Sequence, residues 1–321
     1  MNDIRWFAPN AYARLLVPEL EARGLTVALE GSSCARLALA MSGTTAYKAW
    51  RFARRHGCPL VVYIWDLPPK ATGSGSYDRV ISVGRYLVRV ARLRGGYRRR
   101  QGYYSRLRYV AARAREVWVP SRMTGEVVGA RFGVQSQLVP YCYDSNRFHP
   151  APSQKDSPPT LLSVGRLQAH KNQAVTLRAA SRLDRKVQVR LIGRGPEHAR
   201  LERLARTLQV SCRIETAVDD AGVVDAYRRA RVVVCPSLFE GLGLTPIEAI
   251  ASGTPAVASA IPPHQEFVGR AARLVPAENE QAWAEAIRSA LDNGAADPAS
   301  MSNLTISSAR DRFLARLHHL L

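Results

Sequence analysis

Hydrophobic positions along this 321-residue chain recur in short, β-branched runs that alternate with segments of helical periodicity. This alternation is typical of α/β domains with parallel sheets, because each crossover to the next parallel strand usually carries a helix. In the first half the pattern predicts strands over residues 4–8, 26–29, 60–65, 80–83, 116–119 and 137–140. Pro18 interrupts the first helical segment, so we expect that helix to be kinked or to begin there.

The alternation is clearer in the second half. Strands are predicted over residues 160–164, 187–192, 212–218, 231–235 and 256–259. Helices are predicted over residues 173–183, 196–208, 223–230, a segment from 246, and 280–291. At about 100–200 residues per domain, the length predicts two domains. Segment 150–159, with four prolines among small polar residues, is a suitable linker between them.

The charge of the chain is strongly basic, with 46 Lys and Arg against 26 Asp and Glu. Nucleic acid, an anionic membrane or a phosphorylated substrate would each suit a net charge of +20. The arginines concentrate in segment 79–122, where Glu116 is the one acidic residue. Apolar Tyr86, Val90 and Leu93 recur there at helical spacing, and Tyr103, Tyr104, Leu107 and Val110 repeat the mixture of apolar and basic residues. This pattern predicts either an interfacial helix on anionic lipid or solvated helices whose arginine stems cover the domain.

The composition also narrows the class and the location of the protein. Five scattered cysteines form neither a disulfide framework nor a zinc site, and we expect reduced, mostly buried thiols. No apolar run reaches the roughly 18–20 residues of a membrane span. The N-terminus lacks the layout of a signal peptide. These features predict a cytoplasmic protein.

Two loops after predicted strands carry candidate phosphate-binding groups, because open α/β sheets bind ligands at the carboxyl ends of their strands. The loop after strand 160–164 contains Gly165, Arg166 and Lys171, and a guanidinium and an ammonium can both bind phosphate oxygens. The next strand leads into a Gly-x-Gly-Pro turn over 193–196. The alternatives are an ordinary solvated loop and a structural turn.

The segment 236–249 carries the most specific pattern, two glutamates separated by seven residues with Gly-x-Gly between them. Thr245 and Glu248, with a proline between them, form a capping-box pattern at a helix start, and exposed amides there suit an anion. Glu248 therefore caps its own helix, binds ligand hydroxyls, or does both. Glu240 stands in a glycine-rich loop and is available to a ligand.

Together these pieces resemble the retaining nucleotide-sugar glycosyltransferases of family 4. The resemblance covers nearly all of residues 160–292 in the family's order, including Tyr227 and Ala230 before Val-Cys-Pro-Ser. It implies the GT-B fold, an α/β architecture of two Rossmann-like domains with parallel sheets facing a cleft. The implied divisions are an acceptor-binding domain over 1–149, the linker 150–159, a nucleotide-sugar-binding domain over 160–300, and a C-terminal helix in 301–321 packing back on the first domain.

The resemblance also implies the site residues. The catalytic side chains would be Arg166, Lys171 and Glu240. The donor-binding residues would be Gly165, Gly193, Gly195, Thr216, Val218, Gly241, Leu242, Gly243, Leu244, Thr245 and Glu248. In this arrangement the two cations hold the diphosphate, Glu240 and the 241–243 amides hold the transferred sugar, and Glu248 holds the ribose. The amides near residues 244 and 245 cap the phosphate, and the loops 193–195 and 216–218 frame the base.

The chain departs from the family pattern in three places. The usual Gly-Gly loop after the first strand is replaced by residues 8–11, Ala-Pro-Asn-Ala. Trp65 stands where the family often has the histidine of a His-Asp pair, and Asp66 either lines the acceptor side of the cleft or forms a turn. The Gly-rich stretch after Ser259 is altered to Ile-Pro-Pro-His-Gln-Glu over 261–266.

The implied reaction is sugar transfer with retention, from a nucleotide-sugar co-substrate and without another cofactor. We expect no metal, because the acidic triplets that hold one in other glycosyltransferases are absent and Asp219-Asp220 suits a helix cap. The acceptor would be lipid-linked or a growing surface glycan, with segment 79–122 on the inner face of an anionic membrane. The alternatives are a degenerate domain that binds a nucleotide or glycan, and a basic nucleic-acid-binding protein, whose polyanion the two glutamates would oppose.

Overall fold

The computed structural model describes residues 2–7, 11–29, 34–41, 43–65, 79–83, 86–90 and 97–321. The chain forms two compact units, one of Met1–Cys142 with Asn303–Leu321 and one of Tyr143–Ser302. The division falls after Cys142, and the proline-rich segment 150–159 lies within the second unit. Each unit contains a six-stranded parallel sheet, so the predicted fold class of two Rossmann-like α/β halves is confirmed.

The first unit is built on a parallel sheet with the strand order β2-β1-β3-β4-β7-β8. Its strands and those of a separate antiparallel pair, β5-β6, are β1 Asn2–Phe7, β2 Val27–Ala28, β3 Ala35–Ala40, β4 Leu60–Tyr63, β5 Arg79–Val83, β6 Tyr86–Val90, β7 Glu116–Val119 and β8 Gln137–Leu138. Its first helices are α1 Ala11–Glu21, α2 Gly43–His56, α3 Tyr97–Ala111 and α4 Arg122–Phe132.

The structure differs from the sequence pattern, or decides between its alternatives, at three places in this unit. The sequence pattern missed β3, because its alanine-rich composition lacks the β-branched residues by which strands are recognised. The helical interpretation near residues 86–90 fails, since Tyr86–Val90 is a strand paired with Arg79–Val83 and has the aromatic and β-branched composition that favours strands. Helix α1 runs through Pro18 and does not begin there.

The last helix of the chain, α11 Ile306–Leu317, belongs to the first unit. The ring of Phe313 stacks on Trp6 at 5.5 Å and meets the edge of Trp118 at 4.9 Å, and all three side chains are fully buried. Arg310 Nη1 lies 2.8 Å from a carboxylate oxygen of Glu19 on α1. The C-terminal segment therefore completes the core formed by β1 and β7.

The second unit has the strand order β11-β10-β9-β12-β13-β14, in which all pairings are parallel. Its strands are β9 Thr160–Val164, β10 Gln188–Ile192, β11 Cys212–Glu215, β12 Val232–Cys235, β13 Ala256–Ser259 and β14 Arg273–Val275. Its helices are α5 Ala174–Ala180, α6 His198–Thr207, α7 Asp220–Arg229, α8 Leu244–Ala251, α9 Pro262–Phe267 and α10 Glu280–Asn293. The sequence pattern missed the three-residue edge strand β14.

The strand order of the second unit places a topological switch between β9 and β12. The chain moves outward from β9 through β10 to β11, and then crosses to β12 on the other side of β9. Loops that leave two adjacent strands in opposite directions open a crevice at their carboxyl ends, where ligands of such sheets bind. The two loops are those with the candidate cations and the Glu-x7-Glu segment. Among the described helices, none is long and apolar enough to cross a membrane.

Candidate functional site

The loops after β9 and β12 are joined at the switch point. The backbone N–H of Leu238 donates to the carbonyl oxygen of His170 at 2.7 Å, which links the two loops directly. A small pocket opens beside this contact. It is lined by Ser163, Val164, Lys171, Gln173, Cys235, Pro236, Ser237, Glu240, Thr245, Pro246 and His264. The structure thus brings Lys171 and Glu240, two of the predicted catalytic residues, into one pocket.

Lys171 and Glu240 form an ion pair within this pocket. Lys171 Nζ lies 2.5 Å from Glu240 Oε1, and the two side chains are only 17% and 16% exposed. Burial raises the pKa of Glu240, but the Lys171 charge and hydrogen bond, together with a hydrogen bond from Ser237, outweigh it and lower the pKa below its ordinary value. The carboxylate is therefore ionised at neutral pH and held by the ammonium.

Arg166 is placed differently from Lys171. Its side chain is exposed and makes no ion pair with a carboxylate among the described residues. Its backbone carbonyl accepts a hydrogen bond from the side chain of buried Gln173 at 3.0 Å, which fixes the loop from which the guanidinium extends. The nearby His170 is half-buried, and burial together with Lys171 lowers its pKa to about 4, so it is neutral near pH 7.

Gly193 and Gly195 allow the loop after β10 to lie against the loop after β9. A Cβ at Gly193 would lie 1.9 Å from the carbonyl oxygen of Gly165, and one at Gly195 would lie 2.1 Å from that of Leu167. The amide of Leu167 donates to the carbonyl of Arg194 at 2.9 Å across this contact. The structural interpretation of the Gly-x-Gly turn is therefore sufficient to explain both glycines, and a ligand-binding role for them stays a prediction.

The loop after β11 lies beside this turn. The Arg194 side chain donates to the carbonyl oxygen of Thr216. Thr216 is an exposed residue, and Val218 is half-buried. Asp219 caps α7, since its carboxylate accepts from the amide of Gly222 at 2.8 Å, and this part of the cap prediction is confirmed. The structure thus places residues 193–195 and 216–218 together, at the edge of the site.

The helix after the glycine-rich loop begins earlier than expected. Gly243, with φ of +89°, precedes α8, which starts at Leu244. Thr245 therefore lies inside the first turn, and its hydroxyl lies 3.5 Å from the carbonyl of Val164. The predicted capping box at Thr245 is wrong, because the left-handed glycine turns the chain into the helix two residues sooner. The N–H groups of this first turn have no acceptor within the helix and suit an anion.

Glu248 does not cap its helix. Its Oε2 accepts a hydrogen bond from the hydroxyl of buried Tyr227 at 2.9 Å. Burial raises the pKa of Glu248 to about 7, against the lowering effects of Tyr227 and Arg147, and Asp144 adds to the increase. Self-capping, one of the interpretations that the sequence left open, is excluded, and binding of ligand hydroxyls stays a prediction. The carboxyl group beside the pocket titrates near neutrality.

His264 is a pocket residue that the sequence analysis did not select. It lies in α9, directly after β13, and is 1% exposed. Its Nδ1 lies 2.9 Å from the carbonyl oxygen of Ser259, and its Nε2 has no hydrogen-bond partner among the described residues. The signal available in the sequence was its position within six residues after a strand of the parallel sheet, where the family's usual glycines are replaced.

In the first unit, Trp65 lies just beyond the carboxyl end of β4 in an aromatic cluster. Its indole N–H donates to the carbonyl of Met41. Its ring lies 4.5 Å from that of Tyr141, 5.2 Å from that of Tyr63 and 5.4 Å from that of Tyr12. Asp66 lies outside the described residues. Trp65 is therefore packed as well as positioned at the sheet edge where a ligand would bind.

The basic segment 79–122 is described in part. The side chains of residues 79–102 lie outside the described part of the chain. In α3, Leu107 and Val110 are buried to 2% and 0% exposure, so this part of the predicted interfacial apolar face packs inside the unit. A different surface is exposed, where the Trp50 ring on α2 lies 5.4 Å from the rings of both Tyr47 and Tyr109.

Comparison with known proteins places this geometry in a family. The sequence profile described as Glycosyl transferases group 1 matches residues 144–308. A D-inositol 3-phosphate glycosyltransferase of Catenulispora acidiphila is 38% identical over 149 residues, which are 41% of this chain and 35% of that enzyme. The O-antigen chain mannosyltransferase RfbU of Salmonella typhimurium is 25% identical over 187 residues, covering 57% and 52%. The chain thus spans about a third to a half of the length of these relatives.

Solved structures agree on the fold. Anabaena HepE in complex with UDP-glucose matches with a TM-score of 0.73 over 100% of both chains, at 14% identity. A sucrose-phosphate synthase from Thermosynechococcus elongatus matches with a TM-score of 0.71 over 100% of this chain and 95% of that one, at 20% identity. At these identities such neighbours show the fold alone, which is two Rossmann-like α/β halves. Because the profile covers more than half of its residues, the chain belongs to the family of glycosyl transferases group 1.

Proposed function

We propose that this chain is a retaining glycosyltransferase of family 4 that moves a hexosyl group from a nucleotide sugar to an acceptor hydroxyl. The observation that carries the proposal is the Lys171–Glu240 pair, which lies at the topological switch of the second sheet and beside the start of α8. A cation, an anion and a set of unpaired helix amides are what a ligand with a diphosphate and a sugar requires.

The diphosphate would be held by Arg166, Lys171 and the first amides of α8, at Leu244 and Thr245. Arg166 is exposed and without an ion pair among the described carboxylates, so it is available to an incoming anion. Each charge-assisted hydrogen bond contributes about 1.5–3 kcal/mol. These groups would also stabilise the charge that develops on the leaving diphosphate, which is the reason why we propose a metal-independent reaction. Unchanged activity in EDTA is the expected result.

The sugar and the nucleoside would lie on either side of this anion site. Glu240 with the amides of residues 241–243 would hold the transferred sugar, and Glu248 would accept hydrogen bonds from the ribose hydroxyls. The loops 193–195 and 216–218, adjacent in the structure, would frame the base. Because HepE was solved with UDP and with UDP-glucose, uridine nucleotides are the first donors to test.

The acceptor would bind to the first unit, near Trp65 and Asp66. An aromatic ring at the carboxyl end of β4 suits the apolar face of a sugar. The named activities of the relatives, transfer to D-inositol 3-phosphate and mannosyl transfer in an O-antigen chain, support a phosphorylated, lipid-linked or surface-glycan acceptor. Peripheral binding to the anionic inner face of a membrane, through segment 79–122 and the exposed aromatic rings of α2 and α3, belongs to the same proposal.

The test is a thermal-shift series with UDP, GDP, ADP, dTDP and CDP on the wild type and on Arg166→Ala at near-physiological salt. A ligand at about 100 times its dissociation constant adds roughly 2.7 kcal/mol of stability. We expect one nucleotide to stand out and to lose most of its effect in Arg166→Ala. Equal weak shifts with all five nucleotides, unchanged in the variant, would reject the donor site.

Turnover and stereochemistry need a second measurement, by NMR of the anomeric proton of the product. Transfer with the donor's anomeric configuration supports the proposal, and an inverted product rejects the retaining mechanism. Specific nucleotide binding without transfer to any acceptor or to water would instead identify a binding protein with a degenerate glycosyltransferase fold.

A further inference from the structure

The imidazole of His264 has an orientation set by the protein. Its Nδ1 lies 2.9 Å from the carbonyl oxygen of Ser259, and a carbonyl can only accept, so Nδ1 carries the proton. The side chain is 1% exposed, and burial lowers its pKa, so the ring is neutral near pH 7. In this tautomer Nε2 is a hydrogen-bond acceptor with a fixed direction.

Nε2 faces the glycine turn that precedes α8. A Cβ built on Gly243 would lie 2.7 Å from both Nε2 and Cδ2 of His264, and 3.6 Å from Cγ of Glu240. The ring, the turn and the carboxylate side chain therefore meet at one point of the pocket. Gly243 has room for a hydrogen atom at that point and for nothing larger.

Nε2 has no hydrogen-bond partner among the described residues, although it is fully buried. An unsatisfied buried acceptor is unfavourable, and an apolar side chain of similar volume would fill the same space without that disadvantage. Because His264 lines the pocket, its unpaired Nε2 is placed to accept a hydrogen bond from a ligand bound there.

We propose that His264 is a donor-contacting residue whose Nε2 accepts a hydrogen bond from a hydroxyl of the transferred sugar. The proposal rests on the proposed function and assigns a second protein group, after Glu240, to the sugar end of the donor. The hydroxyl reaches Nε2 when the turn at 241–243 shifts on sugar binding, which its two glycines permit because glycine adopts a wide range of backbone angles. His264 and Glu240 would then act as two hydrogen-bond acceptors that distinguish sugars by the positions of their hydroxyl groups.

The test separates the two ends of the donor. Binding is measured by calorimetry with three matched pairs, UDP and UDP-glucose, GDP and GDP-mannose, and ADP and ADP-glucose, on wild type, His264→Asn and His264→Gln. Asn can retain the contact with Ser259 but is too short to supply an acceptor at the Nε2 position. Gln can place its amide oxygen near that position.

For the pair that the wild type binds, we expect His264→Asn to weaken the sugar nucleotide about tenfold, the effect of one lost hydrogen bond, and to leave the nucleoside diphosphate within about twofold. His264→Gln should recover most of the loss. Equal weakening of both ligands, or wild-type affinity for the sugar nucleotide in His264→Asn, would overturn the assignment. Wild-type protein that binds none of these six ligands and neither dTDP nor CDP would reject the proposed function itself, and the assignment with it.

Discussion

Lys171 and Glu240 are 69 positions apart in sequence, and their side chains meet at 2.5 Å in a pocket where both are more than four-fifths buried. In this arrangement the ammonium compensates a carboxylate that would otherwise repel a diphosphate. The pair therefore lets one pocket hold a negatively charged group and a hydroxylated sugar side by side. Its energetic coupling and its ligand contacts can be measured separately.

The coupling should be visible in stability. Lys171→Met keeps the apolar stem but leaves a buried carboxylate without its cation, and we expect a loss of about 1–3 kcal/mol in the free energy of unfolding. Adding Glu240→Gln to that variant should restore part of this loss. The measurement is a double-mutant cycle by chemical denaturation, with Glu240→Gln alone as the fourth corner. Additive effects within about 0.5 kcal/mol would mean that the pair is not coupled.

The same variants should separate binding of the diphosphate from binding of the sugar. Lys171→Met removes a phosphate ligand, so UDP and UDP-glucose should both bind more weakly, by about tenfold or more. Glu240→Gln replaces the charged carboxylate by a neutral amide with one acceptor oxygen, so UDP should bind as in the wild type or more tightly, while UDP-glucose loses affinity. Calorimetric titration gives both numbers. Loss of UDP binding in Glu240→Gln would contradict the assignment of this side chain to the sugar.

Gly243 should tolerate no larger residue. In Gly243→Ala the new Cβ meets the His264 ring at 2.7 Å, in a backbone conformation with φ of +89°. The positive φ costs about 1–2 kcal/mol and the overlap about 1–3 kcal/mol more. Gly253→Ala is the matched control in the same unit, because its φ is +80° and its nearest contact is an ordinary 3.6 Å to Pro150. Similar unfolding free energies for the two variants would show that the His264 ring moves to accommodate the new methyl group.

Binding of the sugar nucleotide should depend on pH through Glu248. Its pKa of about 7 means that roughly a tenth of the carboxyl groups are ionised at pH 6 and nine-tenths at pH 8. If the ionised form accepts from the ribose, UDP-glucose should bind about tenfold more tightly at pH 8 than at pH 6. A sugar nucleotide is the right probe, because its phosphates, unlike the terminal phosphate of UDP, do not titrate in this range.

The control for this pH dependence is Glu248→Gln. The variant should bind weakly and lose most of this pH dependence, since nearby His170 has a pKa of about 4 and burial lowers the pKa of His264. The free energy of unfolding of the free protein should depend on pH in the opposite direction, because it falls as the pH rises. A carboxyl group whose pKa is raised on folding stabilises the folded state below about pH 4.5, and this contribution is lost as the pH rises through 7. An unchanged slope in Glu248→Gln would assign the titration to another group.

The sequence was sufficient for the α/β architecture and for the positions of the loops that follow β9, β10 and β12. Strands such as Val232–Cys235 are short, β-branched and fully buried, so the hydrophobic pattern identifies them directly. The strand Ala35–Ala40 was not predicted, because alanine favours helices. Its strand depends on neighbouring strands on both sides, which only the fold supplies. The start of α8 was misplaced because the sequence does not show that Gly243 adopts a left-handed conformation.

The site required the three-dimensional structure for its pairings. Local sequence cannot show that Lys171 would meet Glu240, or that Tyr227 would take the carboxylate of Glu248 away from its own helix. His264 escaped for a related reason. Its importance rests on a missing hydrogen bond, and a missing partner is recognised only when every neighbour has been placed.

The exposed surface of α2 and α3 should bind anionic lipid. Arg54 lies over the ring of Trp50 at 5.6 Å, and Tyr47 and Tyr109 are 43% and 42% exposed beside it. Arg51→Ala with Arg54→Ala should weaken binding to anionic vesicles about 30-fold, at about 1 kcal/mol for each arginine. The matched control, Arg203→Ala with Arg206→Ala, removes the same charge from exposed positions of α6. In flotation assays the control should bind like the wild type. Equal losses in the two double variants would mean that the vesicles respond only to net charge. Equal binding of the wild type to neutral and to anionic vesicles would reject an anionic-lipid surface.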